Sequence, residues 1–232
     1  MAAGTTVIIG GTRGLGRHLA QRCARRGNAV VISGRDAANA ASIAQEIGGS
    51  TSAIGVDLTA PAEVGAALSA IERVDRVVLA AIERDLNSVR EYRIEEAMRL
   101  VTLKLVGYTE VLHCLHARMH QDTAVLLFGG LAKDRPYPGS TTVTSVNGAV
   151  TTMVRTFVTE LAPVRVNALH PGIVADSPAW VDNAEMLKRV KESTPTGRLV
   201  TMDDITHAAL FLLENRGING VNLAVDGGWT LM

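Results

Sequence analysis

Short, continuously apolar runs recur along this chain, and longer segments with helical periodicity separate them. Residues 7–9, 29–32, 52–56, 76–80, 124–128, 165–169 and 220–225 read as strands. These runs do not alternate polar with apolar, so both faces of the sheet they form must be covered. Segments 15–28, 36–48, 60–72, 91–119, 141–162 and 203–214 supply the covering helices. A strand followed by a helix and another strand makes a parallel pairing, because parallel neighbours need a crossover connection. The expectation is an α/β fold, a doubly wound parallel sheet with helices on both faces. At 232 residues the chain exceeds the roughly 100–200 of a common domain. No repeat, low-complexity tract or Pro/Gly/Ser linker divides it, so residues 1–232 are expected to form a single domain. Segment 173–202 breaks the rhythm after the sixth strand, at the carboxyl edge where open α/β sheets bind ligands, and reads as a substrate lid.

Composition excludes several partners. The 23 basic and 23 acidic side chains cancel, and three Phe, three Tyr and two Trp are too few for a base-stacking platform, so nucleic acid is not expected. The longest uncharged run, 136–154, is rich in Thr, Ser and Gly, too polar for a membrane. Two cysteines, Cys23 and Cys114, make neither a disulfide framework nor a zinc site, and both are expected as buried helical thiols. The opening residues lead directly into the first strand with no room for a signal peptide, so a cytoplasmic protein is expected.

The first strand runs into Gly10-Gly11-Thr12-Arg13-Gly14-Leu15-Gly16 and then a helix. Glycines at this junction let backbone amides close on a pyrophosphate at the helix N-terminus. Dinucleotide binding on a Rossmann-like fold follows. The second strand ends Ser33-Gly34-Arg35, where an NAD-preferring site carries an acid for the ribose 2′-hydroxyl. Arg35 and Arg13 instead suit a 2′-phosphate, so the expected cofactor is NADP(H).

These residues resemble the short-chain dehydrogenase/reductase family over essentially the whole chain. Gly10-x-x-x-Gly14-x-Gly16 has that family's spacing, and Asp57-Leu58-Thr59 is similar to its adenine-contacting position. Residues 165–172, ending His170-Pro171-Gly172, resemble the stretch that passes beside the nicotinamide, and Pro195-Thr196-Gly197 and Asp226-Gly227-Gly228 resemble the C-terminal signatures. The resemblance implies an NADP(H)-dependent oxidoreductase acting on a carbonyl or alcohol of a small molecule, built as a homotetramer or homodimer. It implies cofactor contacts from Gly10, Thr12, Arg13, Gly14, Leu15, Gly16, Ser33, Arg35, Asp57, Leu58, Ala80, Ala81, Asn147, Pro171, Gly172 and Val174. Asp176 stands where the family has Thr, which implies a carboxylate near the cofactor phosphates.

The family's catalytic Tyr-x-x-x-Lys is absent. Tyr92, Tyr108 and Tyr137 are followed four residues later by Glu96, Leu112 and Thr141. Counting from the matched segments puts the Tyr, Lys, Ser and Asn positions on Val143, Asn147, Gly130 and Lys104. Valine transfers no proton and glycine offers no hydroxyl. The Lys and Asn positions look exchanged, so Lys104 and Asn147 are the expected catalytic pair, with Tyr137 in its Pro-flanked loop as a substitute acid. Two rival readings remain: an NADP(H)-binding protein without turnover, and a non-redox isomerase, lyase or cyclase that reuses the cleft. No metal site is expected: His113, His116 and His120 fall on one helical face and read as an interface stripe. Thr142 and Thr144 read as backbone-bonded hydroxyls, His170 as a residue near the nicotinamide, and segment 83–99 as a solvated helix and connection.

Overall fold

A computed structural model describes residues 4–232; the opening Met1-Ala2-Ala3, read above as leading straight into a strand, lies outside them. The seven expected strands are all present: β1 (Thr5–Ile9), β2 (Ala29–Gly34), β3 (Thr51–Gly55), β4 (Arg76–Leu79), β5 (Ala124–Phe128), β6 (Arg165–Pro171) and β7 (Asn222–Val225). They form one parallel sheet in the order β3-β2-β1-β4-β5-β6-β7. The order reverses between β1 and β4, which opens a crevice at the carboxyl ends of those strands.

Alternate strand residues feed two cores. Val7, Ile9, Val77, Leu79, Val125 and Leu127 face α3 (Pro61–Ala67), α5 (Tyr108–Leu115) and α6 (Thr141–Glu160). Ile8, Ile32, Val78, Leu126 and Leu169 face α1 (Gly14–Arg25), α2 (Ala37–Ile47) and α8 (Met202–Glu214). Two buried faces explain why the strands read as unbroken apolar runs.

The expected helix 91–119 is interrupted. Helix α4 (Ile94–Val101) passes into a π-helical turn, Thr102–Gly107, before α5 begins. A Cβ on Gly107 would stand 2.7 Å from the backbone and side chain of Leu58, so glycine lets the turn lie against the segment after β3. Such π turns accommodate a side chain that a regular helix would aim elsewhere, and they gather at functional sites. Here that side chain is Lys104.

The expected histidine stripe is not formed. The helix ends before residue 120, and His120 turns back to Asp75, 2.9 Å away, while His113 and His116 remain exposed and stacked. Among the described residues no cluster of His, Cys, Asp or Glu is arranged to hold a metal, and no helix is long and apolar enough to cross a membrane. Cys23 is buried as expected; Cys114 is only half-buried and donates to Glu110.

Segment 173–202 carries α7 (Ala184–Glu192), which buries no residue of its own, and an isolated bridge from Val174 to Val200. Beyond it, the far end of the sheet is tied by Arg165. Its guanidinium donates to the carbonyls of Leu212, Leu213 and Ile218 at 2.7–3.1 Å, completing the C-terminus of α8 with a positive charge. Arg165→Met removes these bonds and leaves buried carbonyls without donors. The expected loss is about 2–4 kcal/mol in denaturant unfolding, and a loss below about 0.5 kcal/mol would contradict this role.

Candidate functional site

The turn between β1 and α1 is built on close approach. Gly10 has φ +89°, and a Cβ there would stand 2.5 Å from the Ala81 nitrogen, so glycine alone lets β1 meet the segment after β4. A Cβ on Gly16 would run into the Gly10 carbonyl. Gly14, at φ +53°, has nothing near its would-be Cβ and leaves the backbone open. Helix α1 starts behind Arg13 without a side-chain cap and without an acid in its first turn. Its leading N–H groups therefore keep their affinity for an anion.

Ser33 supports this turn from behind. It is 1% exposed; its hydroxyl accepts from the Gly10 N–H at 3.1 Å and its carbonyl from the Gly11 N–H at 3.0 Å. Its link to a cofactor therefore runs through the turn. Thr12 packs over Gly34, Leu15 packs on the core, and the Ala80 N–H bonds the Ile9 carbonyl. Arg35 follows the end of β2, where the adjacent Asp36 is spent on capping α2, and the acid that meets Arg35 comes from elsewhere. Glu83 accepts from Arg35 at 2.7 Å and from Arg99 at 2.6 and 2.9 Å, and Arg99 holds its carboxyl below the usual range against the cost of burial. Segment 83–99 is thus not merely solvated: Glu83 locks it to β2, and Asp85 and Asn87 are buried beneath it. Asp57 closes its own loop on the Thr59 amide and hydroxyl. Burial raises its pKa, but those bonds, with Arg99 and Arg35, hold it low. Leu58 is buried against Gly107.

At the end of β5, Gly130 and Asn147 share one space. A Cβ on Gly130 would stand 2.9 Å from Asn147 Nδ2. The Asn147 side chain is 4% exposed and has no hydrogen-bond partner among the described residues. Lys104 lies at the same edge, 1% exposed, donating to the Phe128 carbonyl at 2.5 Å and to the Tyr108 hydroxyl at 2.9 Å. Tyr108 in turn donates to the Ala81 carbonyl at 2.8 Å. Burial pushes the Tyr108 phenol well above its ordinary value.

A family model described as enoyl-(acyl carrier protein) reductase matches residues 10–230. The chain belongs to the short-chain dehydrogenase/reductase family. It is 29% identical to the 3-oxoacyl-[acyl-carrier-protein] reductase of Homo sapiens, covering 97% of both chains. It is 30% identical to the L-rhamnose 1-dehydrogenase (NAD(P)(+)) of Azotobacter vinelandii, covering 97% of this chain and 95% of that one. Among solved structures, the 3-ketoacyl-(acyl-carrier-protein) reductase from Brucella melitensis complexed with NADH superposes with a TM-score of 0.86, at 31% identity and 98% coverage of each chain.

In this short-chain dehydrogenase/reductase, Lys104 is paired with Tyr108, a partner that sequence reading missed. The family's element is a Tyr with a Lys four residues later; here the order is reversed, Lys104-x-x-x-Tyr108, across the junction of the π turn and α5. Tyr137 is 44% exposed in the loop before α6. Thr144 bonds the Ala132 carbonyl as expected, but Thr142 takes its bond from the Asn87 side chain. His170 is buried at 1% exposure, bonded to Asn222 and packed on Gly129, so it does not reach into the cleft. Asp176 is not aimed at phosphates: its carboxylate accepts from the Met202 N–H at the start of α8.

Burial lowers the Lys104 ammonium from 10.5 to about 7, and the charge of Arg84 adds to the effect. Below about pH 7 Lys104 is charged in both folded and unfolded chains, and the folded state bears the full penalty. Between about 7 and about 10.5 the unfolded chain binds the extra proton, so this residue's penalty fades as pH rises. Wild type should therefore gain stability relative to Lys104→Met between about pH 6 and about pH 9 in chemical unfolding. A gap between the two that does not change with pH would refute the shift.

Proposed function

We propose that this chain is an NADP(H)-dependent oxidoreductase that interconverts a small carbonyl compound and its alcohol, using Lys104, Asn147 and Tyr137 where its family uses Ser, Tyr, Lys and Asn. The observation that carries the reading is the uncapped, acid-free N-terminus of α1 beside Arg13, with Arg35 at the end of the neighbouring strand. The names of the relatives mention both NAD(P)(+) and NADH, so the preference for the 2′-phosphate rests on Arg13 and Arg35.

The amides of the Gly10–Gly16 turn hold the diphosphate, and Arg13 and Arg35 hold the 2′-phosphate. Asp57, Leu58, Ala80 and Ala81 line the adenine side; Pro171, Gly172 and Val174 line the other end, beneath the lid 173–202. When bound, the nicotinamide supplies a hydride to the carbonyl carbon or takes it back from the alcohol. Asn147, whose amide fills the room beside Gly130, then donates a hydrogen bond to the substrate oxygen. Lys104 stabilises negative charge on that oxygen from below. Tyr137, exposed at the mouth, passes the proton that completes the alcohol. One observation favours binding without turnover as a second reading: Lys104, sealed under Tyr108 and the Phe128 carbonyl, has no open path to substrate.

Titration of NADPH and NADH by nicotinamide fluorescence tests the proposal. NADPH should bind more tightly, and Arg35→Ala should weaken NADPH about tenfold while changing NADH little. Glu83→Gln should move the preference further toward NADPH, because Arg35 then loses a competing carboxylate. Binding of neither nucleotide would remove the reading, and binding without NADPH consumption across a carbonyl panel would select the second one.

A homo-oligomer is part of the same proposal. Ile94, Met98 and Val106 are 64%, 61% and 50% exposed along α4 and the π turn, an apolar face suited to a second copy of the chain. Met98→Glu should lower the assembly state in light scattering; an unchanged mass would exclude this face.

A further inference from the structure

Arg84 is a cation that the proposed cofactor site does not use. It lies in the segment after β4, at the carboxyl edge of the sheet, exposed at the mouth of the cleft. Its guanidinium sits 4.7 Å from the centre of the Trp180 ring, which the lid segment contributes. The side chain forms no ion pair or hydrogen bond among the described residues. Loss of hydration lowers its pKa, Tyr137 opposes that effect and Arg13 adds to it, so its charge is felt by groups from two other loops. The same charge depresses Lys104.

Nearby carboxylates are committed elsewhere. Glu83 is held by Arg35 and Arg99. Asp85 is buried and turned to Asn87, and Asp176 accepts from the Met202 N–H. Arg13 acts on the charge of Arg84 and Arg84 on that of Lys104, while the Glu83 and Asp176 carboxylates are engaged by other groups. An arginine held flat on an aromatic ring keeps its forked N–H edge free, and that edge matches a planar oxyanion. Two ligands could bring one: the cofactor's diphosphate or a substrate's own anionic group. The diphosphate is already served by the Gly-rich turn and Arg13. Arg84 is instead held by Trp180 of the lid segment, and its charge is felt with that of Tyr137 in the loop before α6.

We propose that Arg84, seated on Trp180, binds a carboxylate of the substrate, so that the carbonyl compound handled here is an anionic, carboxylate-bearing one. This rests on the NADP(H)-dependent reading above and adds the substrate class to it.

The test uses Trp180 as its own reporter. In a Trp229→Phe background Trp180 is the single tryptophan, and the Trp229 ring that is removed packs on Arg135. NADPH binding is first read separately, by nicotinamide fluorescence. The NADPH-loaded protein is then titrated with malonate, and with neutral malonamide as the control, in wild-type, Arg84→Gln and Arg84→Lys forms. The expected result is a saturable Trp180 response to malonate and none to malonamide. Arg84→Gln should weaken malonate about tenfold or more, and Arg84→Lys should fall between because a lysine lacks the fork.

Malonate that displaces NADPH through Arg84 would assign this arginine to the diphosphate and overturn the proposal. So would a response that Arg84→Gln leaves intact, or no response at all. Should NADPH fail to bind, the cofactor reading falls by itself. The malonate titration of the free protein, with the same variants, then still decides whether Arg84 binds a carboxylate.

Discussion

The close approach of the β1–α1 turn to the end of β4 is the constraint on which the rest of this structure hangs. Gly10 lies where any side chain would strike Ala81, and Gly16 lies where any side chain would strike the Gly10 carbonyl. Ser33 pins the same turn to β2 through both of its oxygens. Three neighbouring strands and the first helix are thereby fixed around one small volume. The segment leaving β4 is set at a definite height above the sheet, and its Ala81 carbonyl becomes the acceptor for Tyr108. Tyr108 accepts from Lys104, and Lys104 reaches the end of β5. A chain of contacts thus runs from the β1–α1 turn through Ala81, Tyr108 and Lys104 to the end of β5.

That chain explains how a lysine can be buried at all. A fully buried ammonium is costly unless its protons are bonded. Here two oxygens accept from it, and the low value of its pKa shows that the compensation is incomplete. The π turn is the backbone adjustment that makes the geometry possible, because it rotates Lys104 inward while Gly107 lies close on Leu58. Gly130 and Asn147 form a second coupled pair: the amide occupies the room that a serine at residue 130 would need. Residues 130 and 147 are therefore sterically dependent on one another.

Much of this was legible in the residues, and what was hidden has a common cause. The strands, the order of motifs and the turn at Gly10–Gly16 depend on local periodicity and on spacing, which a single chain displays. Lys104 and Asn147 were found by counting from matched segments. Glu83, Arg84 and Tyr108 were not, because their roles arise from contacts across the fold. Glu83 meets Arg35 over 48 positions of sequence, and Arg84 meets Trp180 in the segment after β6. The histidine stripe failed for a related reason: the helix stops, and His120 finds a better partner in Asp75 than continued helix would give. The reversed Lys104-x-x-x-Tyr108 spacing was visible, but nothing in the spacing said that a π turn would carry it inward.

The charge arrangement of the cleft follows from the same packing. Zero net charge hides a local imbalance, since Glu83 pairs with both Arg35 and Arg99 while Arg84 lies over Trp180 with no ion pair among the described residues. Arg13 lowers the proton affinity of Arg84, and Arg84 lowers that of Lys104, each effect adding to the loss of hydration at the affected group. A fold maintains such a cost where a ligand relieves it, and perturbed cations of this kind gather where chemistry is done. One anion entering the cleft would lower the energy of all three cations together. Nucleotide and substrate, if both anionic, would then share the same field, and the first to bind would weaken the attraction felt by the second.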